Sequence, residues 1–202
     1  SRNAEKHADK PAFREDMVET LQGSVGKMNE LLARLSQHNK AKHAAPSSID
    51  IGDAIMKAVH AKRLIYPLEA DCPEGLKVTA DAARVETIIN HLVQNAIEAT
   101  DDGSPIQITC RKQGSNAAIS VIDKGVGMSE AFVANQLFKP FESTKDGGFG
   151  IGAYEARALA TSMGGGLRVE SRLGKGTRFT LSLPLATDDD GATDDTDMEE
   201  AA

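Results

Sequence analysis

The sequence predicts an α+β fold: a two-layer α/β sandwich, preceded by a separate helical segment. Three observations predict it. Apolar residues between 81 and 100 recur at helical spacing; two pairs of short alternating stretches flank glycine-containing turns; and helices are interspersed with these hairpins, unlike the regular strand–helix alternation of a doubly wound parallel sheet.

In chain order, Pro11, with Asp9 ahead of it and Glu15 and Asp16 in the first turn, marks a helix start. Val18, Leu21, Val25, Met28, Leu32 and Leu35 then follow at steps of 3, 4, 3, 4 and 3, an a/d seam flanked by Glu19, Lys27, Glu30 and Arg34. One amphipathic surface helix and one helix of a dimeric bundle both satisfy that pattern. His43-Ala-Ala-Pro-Ser-Ser is expected to be a linker. Ile51 to Lys62 is predicted helical, capped by Ser48 or Asp50, and Leu76-Lys-Val-Thr is predicted to be a strand. Asp81 to Thr100 is predicted to be a long helix burying Val85, Ile88, Ile89, Leu92, Val93 and Ala96. Ile106, Ile108 and Cys110 alternate, as do Ile119, Val121 and Asp123, giving two strands around Gly114-Ser-Asn. Short helices are expected at Ser129 to Phe138 and Gly152 to Met163. A hairpin of Leu167-Arg-Val-Glu and Phe179-Thr-Leu-Ser-Leu turns at Gly174-Lys-Gly.

The chain has 202 residues, enough for one medium domain plus an accessory element, and 40% of them are apolar. No apolar run approaches the roughly 18 residues of a membrane span, no signal-peptide pattern opens the chain, and no membrane contact is expected. The chain opens with Ser1 and is read as a piece of a longer protein. The net charge is −7, but residues 187–202 hold eight acidic and no basic residues, so the remainder carries about +1. Bulk charge thus argues against a nucleic-acid partner, and the acidic tail lacks the apolar residues that would offset its ordering entropy; it is expected to be disordered. Cys72 and Cys110 stand apart, with no Cys-x-x-Cys and no adjacent histidine pair, which suits neither a zinc site nor a disulfide framework and fits a reducing compartment.

On the long helix, His91, Asn95 and Glu98 fall within about 60° of one another, beside the core stripe. Taken alone they make a polar helix flank. Asp123-Lys-Gly-Val-Gly-Met follows a strand directly: the carboxylate is an acceptor only, and Gly125 and Gly127 let backbone approach a flat ligand. A simple turn has the same form. Lys145-Asp-Gly-Gly-Phe-Gly-Ile-Gly leads into a helix, and Gly148, Gly150 and Gly152 let amides point inward at its N-terminus, which suits phosphate; a glycine hinge is the plainer alternative. Neither a Walker A sequence nor a Gly-x-Gly-x-x-Gly after a strand is present.

In order, the chain therefore carries an Asn on a long helix, Asp-x-Gly-x-Gly after a strand, Leu-Phe-Lys-Pro-Phe-Glu-Ser-Thr-Lys, Gly-x-Gly-x-Gly before a helix, and Gly-Thr before a last strand. In this order the motifs resemble the GHKL superfamily of ATP-binding domains (the Bergerat fold), and within it the sensor histidine kinases. His91-Leu-Val-Gln-Asn-Ala-Ile-Glu-Ala-Thr and Gly150-Ile-Gly-Ala-Tyr-Glu look most like the kinases associated with PEP-CTERM/exosortase systems, the PrsK-like group. The resemblance extends over roughly residues 1–185.

The resemblance implies three regions: a partial dimerisation hairpin at 1–45, with its second helix complete and its first truncated; an ATP-binding catalytic domain at 46–186; and the tail at 187–202. It implies that Asn95 places its amide oxygen on Mg²⁺, that Asp123 accepts from the exocyclic amine of adenine, and that Gly125 and Gly127 shape the base site. It further implies that Phe138 and Phe141 anchor one end of a lid, that Lys145 reaches the phosphates, that Gly148, Gly150 and Gly152 cradle them, and that Thr177 lies beside the adenine. His91 stands where many such kinases have Asn and where hydrolysing relatives such as gyrase and MutL have a base Glu. A weak base and a phosphate contact are both open to it. Glu98 stands where a cation often lies, so no phosphate contact is expected from it.

The implied activity is transfer of the ATP γ-phosphoryl to a histidine on the hairpin and thence to an aspartate of a response-regulator receiver domain, by a homodimer, in the cytoplasm, with or without a membrane anchor on the parent protein. The sequence has no His-Asp-Leu-Lys-Asn type acceptor box; His7 lacks its flanking pattern, and His38, His43 and His60 have no supporting motif. The fragment is expected to bind ATP without phosphorylating itself. An ATPase that uses hydrolysis for conformational change and a binding-only nucleotide module are the alternatives. If the heptad seam pairs two chains, Val25→Asp or Leu32→Asp weakens self-association in sedimentation experiments while nucleotide binding persists; an unchanged oligomer counts against the bundle.

Overall fold

The computed structural model describes residues 17–18, 45–60, 62–143 and 150–187. The chain divides into two units, Ser1–Ala44 and Ala45–Ala202. Of the first, Met17 and Val18 are described and are helical. Apart from Val18, the heptad seam lies outside the described residues, as do the expected first-helix remnant and the acidic stretch from Asp188.

The second unit runs β1 (Ser47–Asp50), α1 (Ile51–His60), β2 (Leu68–Asp71), β3 (Lys77–Ala80), α2 (Ala82–Ala99), β4 (Ile106–Gln113), β5 (Asn116–Asp123), α3 (Glu130–Asn135), α4 (Gly152–Ser162), β6 (Gly166–Arg172) and β7 (Gly176–Pro184). Five strands form one mixed sheet in the order β2-β4-β5-β7-β6. The pairs β4–β5, β5–β7 and β6–β7 are antiparallel, and β2 joins the edge parallel to β4. β1 and β3 make a separate antiparallel ribbon, tied to the end of the sheet by a bridge between Val78 and Leu185.

Strand alternation and helix periodicity converge on one core. Ile106, Ile108 and Cys110 of β4, Ala117, Ile119 and Val121 of β5, and Phe179, Leu181 and Leu183 of β7 are buried at every second position, the period of a strand with one covered face. The apolar stripe of α2 is buried with them, and Ile88, Ile89, Leu92 and Val93 are fully enclosed. α2 packs between α1 and α4 above the sheet. The other face is polar, where Ser120 Oγ and Thr180 Oγ1 lie 3.1 Å apart.

Local chemistry sets the helix ends. The Asp81 carboxylate accepts from the amides of Ala83 (2.9 Å) and Arg84 (3.3 Å), satisfying donors that the first turn of α2 leaves unused. Ser129 Oγ accepts from Phe132 N at the start of α3. Asp50, one of the two expected caps of α1, accepts from Gly52 N at 2.8 Å.

The structure corrects four expectations. Ser48, the other expected cap, lies inside β1, and the Pro-Ser-Ser end of the expected linker runs into that strand, because Ser47 to Asp50 find partners on β3. β2 was not expected; Leu-Glu-Ala-Asp becomes a strand by pairing with β4. The helix from Ile51 ends at His60 rather than Lys62, where the amides of Lys62 and Arg63 turn back to the Val59 carbonyl. α3 ends at Asn135 rather than Phe138, since Gln136 and Leu137 both donate to Phe132 O.

Truncating Leu92, which is completely enclosed, leaves a cavity in the middle of this core. Leu92→Ala is expected to lower unfolding free energy by about 2–5 kcal/mol, and Asp81→Ala, which removes the cap, by roughly 0.5–2 kcal/mol; urea denaturation followed by circular dichroism measures both.

Candidate functional site

Asp123 ends β5 on the same face as Ile119 and Val121, so the alternation that builds the core carries a carboxylate into the boundary between sheet and helices, where it is 5% exposed. A buried carboxylate is costly unless hydrogen-bonded. Oδ1 accepts from Gly125 N at 2.9 Å and from Thr177 N, on the facing strand, at 3.1 Å. Two backbone donors on one oxygen orient the group.

The glycines after Asp123 answer to packing. A Cβ on Gly125 would sit 2.0 Å from the carbonyl oxygen of Ala99, the last residue of α2, and the neighbouring Val126 N donates to that same oxygen at 3.0 Å. Gly127 lies equally close to the Arg172 carbonyl of β6. The loop is thus clamped between the end of α2 and the β6–β7 turn, where Gly174 N donates to Val126 O and Met128 N donates to Ser171 Oγ. Ser171 Oγ donates to Gly176 O and lies 2.8 Å from Thr177 Oγ1.

Gly176 holds the other half of the clamp. Its φ is +92°, in the left-handed range, and a Cβ there would meet the Asp123 carbonyl oxygen at 2.0 Å. Gly176 is the glycine of the Gly-Thr motif and the second of Gly-Lys-Gly, one more than the turn itself needs; Ser171 belongs to no sequence motif.

A second cluster forms where α2 meets the N-terminus of α4. Gly152 opens α4, and a Cβ on it would lie 3.9 Å from His91 Cγ and 4.0 Å from Asn95 Nδ2. The structure thereby brings Gly152, His91 and Asn95 together. Ile151, at the N-cap, has no side-chain oxygen to offer the amides of α4, so the partial positive charge of this helix end faces the α2 residues. Glu155, one turn along, places Oε2 3.7 Å from His91 Nδ1, within ion-pair range when the imidazole is protonated. Glu155 closes the Gly150-Ile-Gly-Ala-Tyr-Glu stretch, which by itself assigns it no role; three residues after Gly152, it shares that residue's face. Glu98 Oε1 accepts from Gln94 Nε2, and Gln94 Oε1 in turn accepts from Lys62 Nζ at 2.6 Å. Burial lowers the Lys62 pKa and the Glu98 charge opposes that shift.

Phe138 is half-buried, and the Arg157 guanidinium lies 4.7 Å from its ring centroid, a cation–π contact that fixes this end of the segment to α4. Phe141 is 68% exposed, its φ is +68°, and its backbone N–H donates to Gly150 O at 3.1 Å. Gly150, also at positive φ, has no room for a Cβ beside the Glu142 backbone. Residues 141 and 150 are thereby joined directly. Lys145 and Gly148 lie outside the described residues.

Among the described residues no group of three or more His, Cys, Asp or Glu could hold a metal ion alone. One amide oxygen, such as that of Asn95, suits a hard cation that takes its remaining oxygens from a ligand. No helix among the described residues is long and apolar enough to cross a membrane.

Residues 80–187, which contain the carboxylate, its clamp and the α2–α4 cluster, match the family described as histidine kinase-, DNA gyrase B-, and HSP90-like ATPase, and the chain belongs to that family. It is an ATP-binding domain of the kind found in two-component sensor histidine kinases. The sensor-like histidine kinase SenX3 of Mycolicibacterium smegmatis is 27% identical over 194 residues, covering 91% of this chain and 50% of that protein. Sporulation kinase C of Bacillus subtilis is 35% identical over 115 residues, 57% of this chain and 27% of that protein. The chain thus spans half or less of the length of these relatives. The catalytic domain of histidine kinase ThkA superposes with a TM-score of 0.63 at 26% identity, covering 70% of this chain and 96% of that one.

Gly176→Ala tests the clamp. The added methyl must displace the Asp123 carbonyl, and overpacking of this kind costs about 1–3 kcal/mol; the variant is expected to melt lower than wild type in calorimetry, whereas Gly174→Ala, with open space around its Cβ position, is expected to lose only the cost of its positive φ.

Proposed function

We propose that this domain binds ATP with Mg²⁺ and presents the γ-phosphoryl group to a histidine on a dimerisation hairpin, from which the phosphoryl group passes to an aspartate of a response-regulator receiver domain. The observation that carries this reading is the Asp123 carboxylate held by the Gly125 and Thr177 amides. Its loop packs on the end of α2, the helix that also carries the Asn and His facing the α4 N-terminus, and the combination suits an amino-purine at one end and anionic phosphates at the other. The match to a histidine kinase family and the full-length kinase ShkA, solved in complex with AMPPNP, support it; ShkA superposes with a TM-score of 0.67 at 22% identity over 86% of this chain and 39% of that one.

In this reading Asp123 accepts from the exocyclic amine through Oδ2, because Oδ1 is held by the backbone. Gly125 and Gly127 set the wall of the base site, and Thr177, fixed by its bond to Asp123 and by Ser171, lies beside the ring. Asn95 offers its amide oxygen to the metal, and the first amides of α4, from Gly152 onward, meet the phosphates. Gly148, Gly150 and Lys145 belong to the loop that closes over them, with Phe138 and the Phe141 backbone at its root. Bound Mg²⁺ would neutralise charge on the phosphate oxygens. Phosphoryl transfer passes through a loose transition state, so the protein's contribution is alignment and electrostatics.

One observation favours a second reading. A carboxylate beside His91, here Glu155, is the arrangement that lets an imidazole act as a general base toward water, which would make the domain an ATPase. Release of inorganic phosphate separates the two: as a kinase domain, the fragment is expected to bind ATP·Mg²⁺ with little hydrolysis, and rapid turnover abolished by His91→Ala would establish the hydrolase.

The nucleotide assignment is tested by titration calorimetry. Asp123→Asn reverses half of the hydrogen-bonding character of the group and is expected to weaken ATP binding about 10- to 100-fold, from the roughly 1.5–3 kcal/mol of a hydrogen bond to a charged group. Asn95→Ala is expected to weaken ATP binding in magnesium buffer and to leave binding in EDTA nearly unchanged. Unaltered affinity in both variants would refute the placement. With radiolabelled γ-phosphate ATP, the fragment is expected to take up no stable label, since the chain lacks an acceptor box.

A further inference from the structure

The two cysteines of this chain, 38 positions apart in sequence, meet at one edge of the sheet. Cys110 is on β4 and fully buried; Cys72 directly follows β2, the parallel edge strand, and is half-buried. Their Sγ atoms are 2.8 Å apart, less than an ångström beyond the ~2.05 Å of a covalent S–S bond. We infer that Cys72 and Cys110 form an oxidisable dithiol, a modification site for hydroperoxides, and that the resulting disulfide fastens the edge strand β2 to β4.

The surroundings assign the two sulfurs different parts. Cys72 is the one that solvent reaches. The hydrogen bond between the sulfurs draws the Cys72 thiol below its ordinary range, against burial and the nearby carboxylates of Asp71 and Asp50, with the Arg111 guanidinium helping. The same hydrogen bond, together with burial, pushes Cys110 far up. Cys72 is therefore the attacking thiolate and Cys110 the resolving thiol. Cys72 sulfur attacks the terminal peroxide oxygen: an S–O bond forms, the O–O bond breaks, and the departing oxygen leaves after protonation, as water from hydrogen peroxide or as the alcohol from an organic hydroperoxide. The Cys110 sulfur then attacks the Cys72 sulfur: the S–S bond forms, the S–O bond breaks, and the hydroxyl leaves with the Cys110 proton as water. Two electrons pass from the pair of sulfurs to one peroxide.

The neighbourhood already holds these strands together. Arg111 pairs with the Asp71 carboxylate and also donates to the Asp71 carbonyl oxygen at 3.2 Å. β2 is only four residues long and has a neighbour on one side alone, so a covalent tie at its end closes a loop through α2 and restricts the unfolded chain as well.

The test uses the whole 202-residue chain, reduced and then exposed to a few equivalents of hydrogen peroxide. Expected are the loss of both titratable thiols, a mass lower by roughly 2 Da for the two hydrogens removed, a crosslinked peptide pair containing Cys72 and Cys110, reversal by dithiothreitol, and a melting temperature raised by roughly 5–10 °C. In Cys72→Ser, Cys110 is expected to stay reduced under the same treatment. Persistent free thiols, a disulfide-linked dimer, or oxidation of Cys110 at an undiminished rate in Cys72→Ser would overturn the proposal. A disulfide formed without any rise in melting temperature would overturn its role as a fastener.

Discussion

The site depends on one oxygen. Asp123 Oδ1 receives a hydrogen bond from the loop that follows it and another from the strand that faces it. These two bonds decide where the other oxygen points, how the Gly125–Gly127 loop leaves β5, and how β7 begins. Burying a charge at the edge of an apolar core is tolerable only with such compensation. The packing around it is close, because Gly125 and Gly176 bring backbone against backbone at distances that admit no side chain. The carboxylate ties the β5 loop to the start of β7, and the Ala99 carbonyl, accepting from Val126 N, ties the same loop to the end of α2.

The α2–α4 cluster has a different physical character. A helix N-terminus whose cap residue, Ile151, lacks a polar side chain is set against Asn95 and His91. One end of the site is preorganised by hydrogen bonds, and the other presents donors and partial charge. That contrast matches a ligand with a rigid, neutral ring at one end and flexible, anionic groups at the other.

How much of this could be read from the amino acids varies with the range of the forces involved. α2 was legible residue by residue, because an 18-residue helix with a periodic stripe carries its own signal, and all six expected core positions are buried. The β4–β5 and β6–β7 hairpins were legible for the same reason: short connections and strict alternation. β1 and β2 were not. Ser-Ser-Ile-Asp and Leu-Glu-Ala-Asp are four-residue strands with little apolar content, and only the partners supplied by tertiary structure make them strands. At the site, Asp123, Asn95 and the glycine runs stood out by residue type and order. Gly176 and Glu155 lie in motifs that gave them no role of their own, and Ser171 lies in none, since what they do arises from contacts across the fold. Cys72 and Cys110 looked unrelated for the same reason: a separation of 38 positions hides the fact that parallel neighbours bring them side by side.

The bond between Phe141 N and Gly150 O has a thermodynamic corollary. Bringing the two ends of a chain segment together ordinarily subtracts from whatever a ligand gains by ordering that segment. Here Phe141 and Gly150 are joined in the native fold itself, so a ligand seated against them meets ends already brought together and does not have to supply that closure.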